Sequence, residues 1–317
     1  MTAKILLIGN TTPRIESRLA EDFETIHAAN INDMEAFVAG EGEAIEGIAA
    51  YSGSAMSASL IENLPNLKII SCFGVGYDAV PLDAALSRNI VVTHTPNVLN
   101  KDVANCAIML MLATSRDLVR DYRWVTSGNW VGSGSPPLSR SIEGAKVGIV
   151  GMGRIGEEIA RKLSMFECDI AYHSRTQKTG LAYTYYGNLK QMAEAVSYMV
   201  VIVPGGPATQ KMIDREIIDA LGPHGTLINI ARGTVVDEPE LVLALQEKRL
   251  GWAALDVFEN EPQVPEALFS MENVTLLPHS GSATLETRQA MGDLTVDNLI
   301  SFFHTGKAIS PVPECQN

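Results

Sequence analysis

The stretch Lys146–Leu163, KVGIVGMGRIGEEIARKL, decides how the rest of the chain reads. An apolar run ends at Val150, glycines stand at 151, 153 and 156, and an amphipathic helical pattern follows. Strand, glycine turn and helix in that order are the context in which G-x-G-x-x-G signals dinucleotide binding. Gly151 permits the tight turn, Gly153 lets the backbone approach a pyrophosphate, and Gly156 lets helix and strand pack closely. Backbone N–H groups at the helix start, aided by the helix dipole, then hold the anion. A glycine-rich turn without a ligand is the competing reading, and the flanking strand and helix weigh against it.

Outward from this motif the same alternation recurs. Apolar strand-like runs at Ile142–Val150, Cys168–His173, Tyr198–Val203, Thr226–Ile230, Gly251–Val257 and Asn273–Leu277 alternate with helix-compatible segments. That pattern predicts a parallel sheet wound by crossover helices. An earlier set, Lys4–Gly9, Ile45–Ser52 and Leu67–Cys72, predicts a second such sheet. The fold class is therefore α/β with two parallel sheets. At 317 residues, 46% of them hydrophobic, the chain exceeds the size of one core and fills two. Asp102–Arg120 is apolar almost all round and reads as one helix buried on several sides, either within the chain or at a subunit interface. Ser127–Arg140, rich in Gly, Ser and Pro, reads as a projecting loop. The amphipathic tail Thr284–Phe303 reads as a helix returning the chain to the first sheet.

In such a sheet the end of the strand after the glycine loop selects the cofactor, because an acidic residue there binds the ribose 2′-hydroxyl of NAD. Here that strand ends in Ser174, Arg175 and Thr176, while Asp169 stands at its opposite end. A guanidinium flanked by hydroxyls suits a 2′-phosphate and favours NADP, preferred as NADPH over NADH. A surface arginine in a loop is the alternative.

Three further segments carry polar residues just after apolar strands, where ligands collect in parallel sheets. Arg232 follows TLINIA, Asp256 ends GWAALDV and is soon followed by Glu259 and Glu261, and His279 follows NVTLLP. Reduction of a 2-oxo acid needs a cation to hold the carboxylate and polarise the carbonyl, and an acid to protonate the new alkoxide. Histidine changes charge near neutral pH and is the natural acid, and a neighbouring glutamate stabilises its imidazolium form and fixes the ring. The reading assigns His279 as proton donor, Glu261 as its partner and Arg232 as substrate anchor. Each alone is more often an ordinary loop residue; their coincidence in one sheet carries the assignment.

Composition excludes other classes. A formal charge of −13, from 24 Lys and Arg against 37 Asp and Glu, repels nucleic acid. The four cysteines, Cys72, Cys106, Cys168 and Cys315, are scattered, so neither a metal site nor a disulfide framework is predicted and a cytoplasmic location fits. No run approaches the roughly 20 apolar residues of a membrane span, and the apolar run Ile5–Ile8 is too brief for a signal peptide.

The glycine loop, NIARGTVVDEPELVLAL around Arg232, LDVFENEP with Asp256 and Glu261, and LPHSGSAT around His279 together resemble the D-isomer-specific 2-hydroxyacid dehydrogenases over nearly the whole chain. The details look most like the NADP-preferring glyoxylate and hydroxypyruvate reductases, including hydroxyphenylpyruvate reductases. The resemblance implies two Rossmann-like domains, the outer one discontinuous: residues 1–97 and 286–317 for substrate binding, and residues 98–285 for NADP, with a dimerisation helix and arm. It implies a homodimer, and substrate contacts from Val75 and Gly76 of CFGVGYD through backbone N–H groups, with a plain turn as the alternative. Ser52, at the end of a first-domain strand, joins the substrate pocket, and Trp130 matches an arm tryptophan that reaches the partner's site or packs locally. The implied cofactor lining adds Arg154, Ile155, Val203, Pro204, Thr209, Ile230, Ala231, Asp256 and Gly281 to the glycines and Ser174–Thr176. Ser280 stands where an aliphatic residue is usual and Asn105 where an acidic one is common. A phosphite-type dehydrogenase shares the Arg, Glu and His set, and a nucleotide-sensing corepressor shares the fold; the intact triad argues against the sensor.

Overall fold

Buried parallel strands need both faces covered, so their sequences are continuously apolar and helices must supply the crossovers. The computed structural model, which describes residues 2–9, 11–51, 54 and 56–316, contains two such sheets, and every strand pairing within them is parallel. The chain separates into two compact units, Met1–Leu99 with Thr284–Asn317, and Asn100–Ala283.

The first unit runs β1 (Lys4–Ile8), α1 (Pro13–Asp22), β2 (Glu24–His27), α2 (Met34–Glu41), β3 (Ile45–Tyr51), α3 (Ala58–Glu62), β4 (Ile69–Phe73), α4 (Leu82–Ser87) and β5 (Val91–Thr93). Its strand order is β2-β1-β3-β4-β5. The short strands β2 and β5 lie at its two edges; β2 is half-exposed and β5, though buried, spans only three residues, so neither carries enough apolar signal for sequence reading.

The second unit opens with α5 (Asn100–Ser115), α6 (Leu118–Thr126) and α7 (Asn129–Ser133). The single helix predicted over Asp102–Arg120 is thus two helices. Asp117 lies between them in the left-handed region at φ +48°, where its carboxylate accepts from Trp252 Nε1 at 2.9 Å and pairs with Arg120 at 3.1 Å. Aspartate is among the few residues that enter this region readily, and two partners hold it there. The predicted loop over Ser127–Arg140 likewise contains α7. Its far end is fixed because the Arg140 guanidinium lies 3.8 Å from the Trp252 ring centroid and donates to Thr226 Oγ1 and the His224 carbonyl.

The sheet then builds through β6 (Lys146–Val150), α8 (Arg154–Leu163), β7 (Asp169–His173), β8 (Thr184–Tyr185), α9 (Leu189–Ala195), β9 (Tyr198–Val201), α10 (Arg215–Leu221), β10 (Thr226–Asn229), α11 (Glu238–Gln246), β11 (Trp252–Leu255) and β12 (Val274–Leu276). The order β12-β11-β10-β9-β6-β7-β8 reverses direction between β6 and β9, the point at which open parallel sheets bind ligands.

Helix α12 (Leu285–Thr305), N-capped by Thr284, returns to pack on β4 and α1 of the first unit. Buried Asn298 then pins the tail. Its Oδ1 accepts from Ile309 and Ser310 N–H at 3.0 and 2.8 Å, and its Nδ2 donates to the Leu294 carbonyl and Ser310 Oγ. Asn298→Ala strands several buried polar groups at once, and a loss of about 2–4 kcal/mol is expected. Thermal unfolding checks this, and an unchanged midpoint would show that the tail docks by other means.

Candidate active site

The glycine loop has the geometry its sequence demands. Gly151 has φ +105°, and a Cβ there would meet the Ile202 carbonyl at 2.7 Å. A Cβ on Gly156 would lie 2.1 Å from the Gly151 carbonyl oxygen, so α8 can approach β6 only because it is absent. At Gly153 a Cβ meets nothing within 4 Å, and Gly153 caps α8 without any side-chain hydrogen bond. The start of a ten-residue helix is therefore open for an anion, a donor set that fits a dinucleotide pyrophosphate. Ile155 is half-buried and Arg154 exposed on the first turn of that helix.

Ser174, Arg175 and Thr176 follow the end of β7, with Asp169 at its other end. Ser174 Oγ donates to the Thr176 carbonyl at 2.7 Å, and Tyr185 OH donates to the Ser174 carbonyl, so the turn is braced while Arg175 remains exposed. No carboxylate occupies these three positions, which makes the turn compatible with a phosphate. Beyond β9, Val203 and Pro204 enter a turn closed by Thr209, whose Oγ1 donates to the Pro204 carbonyl at 2.6 Å. Ile230 and Ala231 are buried behind β10.

Asn229, unremarked in the sequence, organises the next turn. Its buried amide accepts from Ala231 N–H at 3.1 Å and donates to the Arg232 carbonyl at 2.9 Å, which presents Arg232 at the strand end. Gly233 follows because a Cβ there would lie 1.9 Å from the Phe258 carbonyl carbon, so the Arg232 and Glu261 segments meet backbone to backbone. Glu261 Oε1 accepts from Phe258 N–H at 3.1 Å and its Oε2 lies 2.7 Å from His279 Nδ1. Burial alone raises the Glu261 carboxyl, but the His279 hydrogen bond and charge, the Phe258 N–H and the Arg232 charge override it and hold the group below its usual range. Glu261 is thus a carboxylate at neutral pH. It can only accept, so His279 carries its proton on Nδ1 in this contact. Buried Glu238 accepts from Glu259 N–H at 3.1 Å and braces the same loop.

His279 sits at φ +52°, a left-handed backbone region uncommon for residues other than glycine. Asp256 holds it there. The Asp256 carbonyl accepts from His279 N–H at 2.7 Å, while its buried carboxylate accepts from Ser280 N–H at 2.7 Å and Gly281 N–H at 2.9 Å. Desolvation raises the Asp256 carboxyl, partly offset by these donors and by the His279 charge. Ser280 adds its hydroxyl to Asp256 at 3.3 Å, which an aliphatic residue could not.

The second unit therefore brings Arg232, Glu261, His279, Asp256 and Gly281 together at the ends of β10, β11 and β12. Val75 and Gly76 lie in the first unit, after β4. Trp130 lies on α7 and is largely exposed. Ser52 falls outside the described residues.

The model of the NAD-binding domain of D-isomer-specific 2-hydroxyacid dehydrogenases matches residues 108–281, more than half of the chain. The chain belongs to that family. It is 44% identical over 308 residues to a hydroxyphenylpyruvate reductase of Plectranthus scutellarioides, covering 97% of this chain and 98% of that one. A glyoxylate/hydroxypyruvate reductase A of Arabidopsis thaliana is 43% identical over the same shares. The fold is also that of an NADPH-dependent glyoxylate/hydroxypyruvate reductase of Sinorhizobium meliloti solved with NADP and malonate, at a TM-score of 0.94 and 47% identity, over 99% of this chain and 98% of that one.

The pH dependence of stability tests the His279–Glu261 pair. A carboxyl held low in the folded state contributes stability above its usual value of 4.5 and loses it as pH falls through the folded value. Wild type should out-melt Glu261→Gln at neutral pH, and the gap should narrow below pH 4.5. A gap that is constant or widens in acid contradicts the pairing.

Proposed function

We propose that this 2-hydroxyacid dehydrogenase family member uses NADPH to reduce small 2-oxo acids, glyoxylate and hydroxypyruvate among them, to D-2-hydroxy acids. The observation that carries the reading is the 2.7 Å contact of His279 Nδ1 with Glu261, which also feels the Arg232 charge, in the same unit as the glycine loop. The relatives named above act on the same class of acid.

Arg232 holds and polarises the substrate through its guanidinium, whose charge reaches Glu261. His279 delivers a proton from Nε2 to the oxygen that becomes the hydroxyl, and Glu261, accepting from Nδ1, fixes the orientation of the ring. When bound, the nicotinamide supplies the hydride. The cofactor is held by Gly151, Gly153, Arg154 and Ile155 at its pyrophosphate and by Ser174, Arg175 and Thr176 at its 2′-phosphate. Val203, Pro204, Thr209, Ile230, Ala231, Asp256 and Gly281 line its remaining length. The discontinuous unit serves the substrate, with the Val75 and Gly76 amides taking its carboxylate. The chain's four cysteines are free, as suits a reducing cytoplasm, and among the described residues no helix is long and apolar enough to cross a membrane.

A steady-state panel of glyoxylate, hydroxypyruvate and hydroxyphenylpyruvate with each cofactor, on wild type, His279→Gln and Arg175→Ala, tests this. His279→Gln is expected to lower turnover roughly 10²–10⁴-fold, and Arg175→Ala to erode a preference for NADPH. Wild-type activity in His279→Gln overturns the acid. Equal efficiency of wild type with NADH and NADPH overturns the cofactor choice. No turnover of any 2-oxo acid favours a nucleotide sensor.

The assembly we propose is a homodimer. Met109, Leu118, Tyr122, Val125, Trp130 and Val131 are exposed along α5–α7, and an open, mostly apolar groove of about 420 Å³ runs beside Met109 and Leu118. Exposed apolar surface of this extent marks an interaction face. Light scattering should read twice the chain mass, and a monomer at micromolar concentration contradicts it.

A further inference from the structure

The loop after β4 is gripped through its carbonyl groups. Thr95 N–H donates to the Gly74 carbonyl at 2.8 Å, and His94 Nδ1 lies 3.0 Å from the Val75 carbonyl. A carbonyl only accepts, so Nδ1 is the donor. In a trans peptide the C=O and N–H of one plane point in opposite directions. Drawing the Gly74 carbonyl toward residues 94–95 therefore turns the Val75 N–H away from them, and drawing the Val75 carbonyl toward His94 turns the Gly76 N–H away likewise. Neither N–H has a hydrogen-bond partner among the described residues. Successive N–H groups directed to one side form an anion-binding concavity.

His94 is itself held on all sides that matter to this geometry. Its N–H donates to the Ser310 carbonyl at 3.2 Å, its carbonyl accepts from Ser310 Oγ at 2.6 Å, and Ser310 is fixed by buried Asn298. Its ring meets Tyr77 edge-on at 5.6 Å between centroids, and Tyr77 OH donates to Glu314 at 3.0 Å. The C-terminal tail thus reaches the 74–76 loop through one imidazole.

We propose that His94 is a positioning residue for the reaction: by holding the Val75 carbonyl it aims the Gly76 N–H, beside that of Val75, at the substrate carboxylate. The proposal rests on the reading of Val75 and Gly76 as carboxylate donors. His94→Phe keeps a ring against Tyr77 and removes the donor; His94→Asn restores an N–H donor close to the Nδ1 position.

In the full-length enzyme with NADPH, His94→Phe is expected to raise KM for glyoxylate and hydroxypyruvate about tenfold. KM for NADPH and the thermal midpoint should stay near wild type, and His94→Asn should bring the acid KM back to within about twofold of wild type. An unchanged acid KM in His94→Phe overturns the proposal, as does a parallel rise for NADPH or failure of His94→Asn to recover. If His94→Phe does not fold, His94→Leu takes its place with the same expectations. Gly76→Pro, which deletes one loop amide, separates the two levels. If it leaves the acid KM unchanged, the carboxylate loop and the His94 proposal both fall. If it raises KM where His94→Phe does not, only His94 falls.

Discussion

Where a parallel strand leaves its sheet, the last backbone groups lose their ladder partners while still buried, and each must find another partner or cost stability. This chain meets that demand with buried polar side chains. Asn229 bridges Ala231 and Arg232, Asp256 collects the amides of Ser280 and Gly281, and Asn298 gathers Ile309 and Ser310. The first two stand at strand ends of the seven-stranded sheet, so the groups that satisfy the fold also hold the turns that carry Arg232 and His279. Asp256 is the clearest case: its backbone carbonyl and carboxylate together place His279 in a left-handed conformation that brings Nδ1 to Glu261.

Backbone proximity does the remaining positioning. Gly156 allows α8 to start against β6, which opens its N-terminus for an anion, and Gly233 allows the Arg232 turn to lie on the Phe258–Glu259 backbone. In both places a methyl group would overlap a backbone atom, so the glycine loop and the His279–Glu261 pair depend on close packing as much as on their side chains. Arg232 then influences Glu261 electrostatically, and Glu261, kept charged, sets the tautomer of His279.

Much of this was legible in the sequence because its signals are local. The glycine spacing, the apolar strands of both sheets and the polar residues after β10, β11 and β12 are read over windows of fewer than twenty residues. The helix break at Asp117 was not legible, because the partner that holds its carboxylate, Trp252, is 135 residues away. Asn229 and Glu238 left no signal either, since each reads as an ordinary polar residue until the chain segment it bonds is brought beside it.

The sequence by itself determined the alternating α/β architecture, the family resemblance and the identities of the candidate acid, its partner and the anchor. Hydrophobic periodicity and turn chemistry act between near neighbours and need no other part of the chain. Tertiary structure alone decided what orients those groups: Asp256 under His279, Gly233 against Phe258, and His94 with the returning tail behind the Val75 carbonyl. Hydrogen bonds and backbone contacts between residues tens to hundreds of positions apart carry no pattern along the chain, and they exist only once both ends of each pair are held in place by the packed cores.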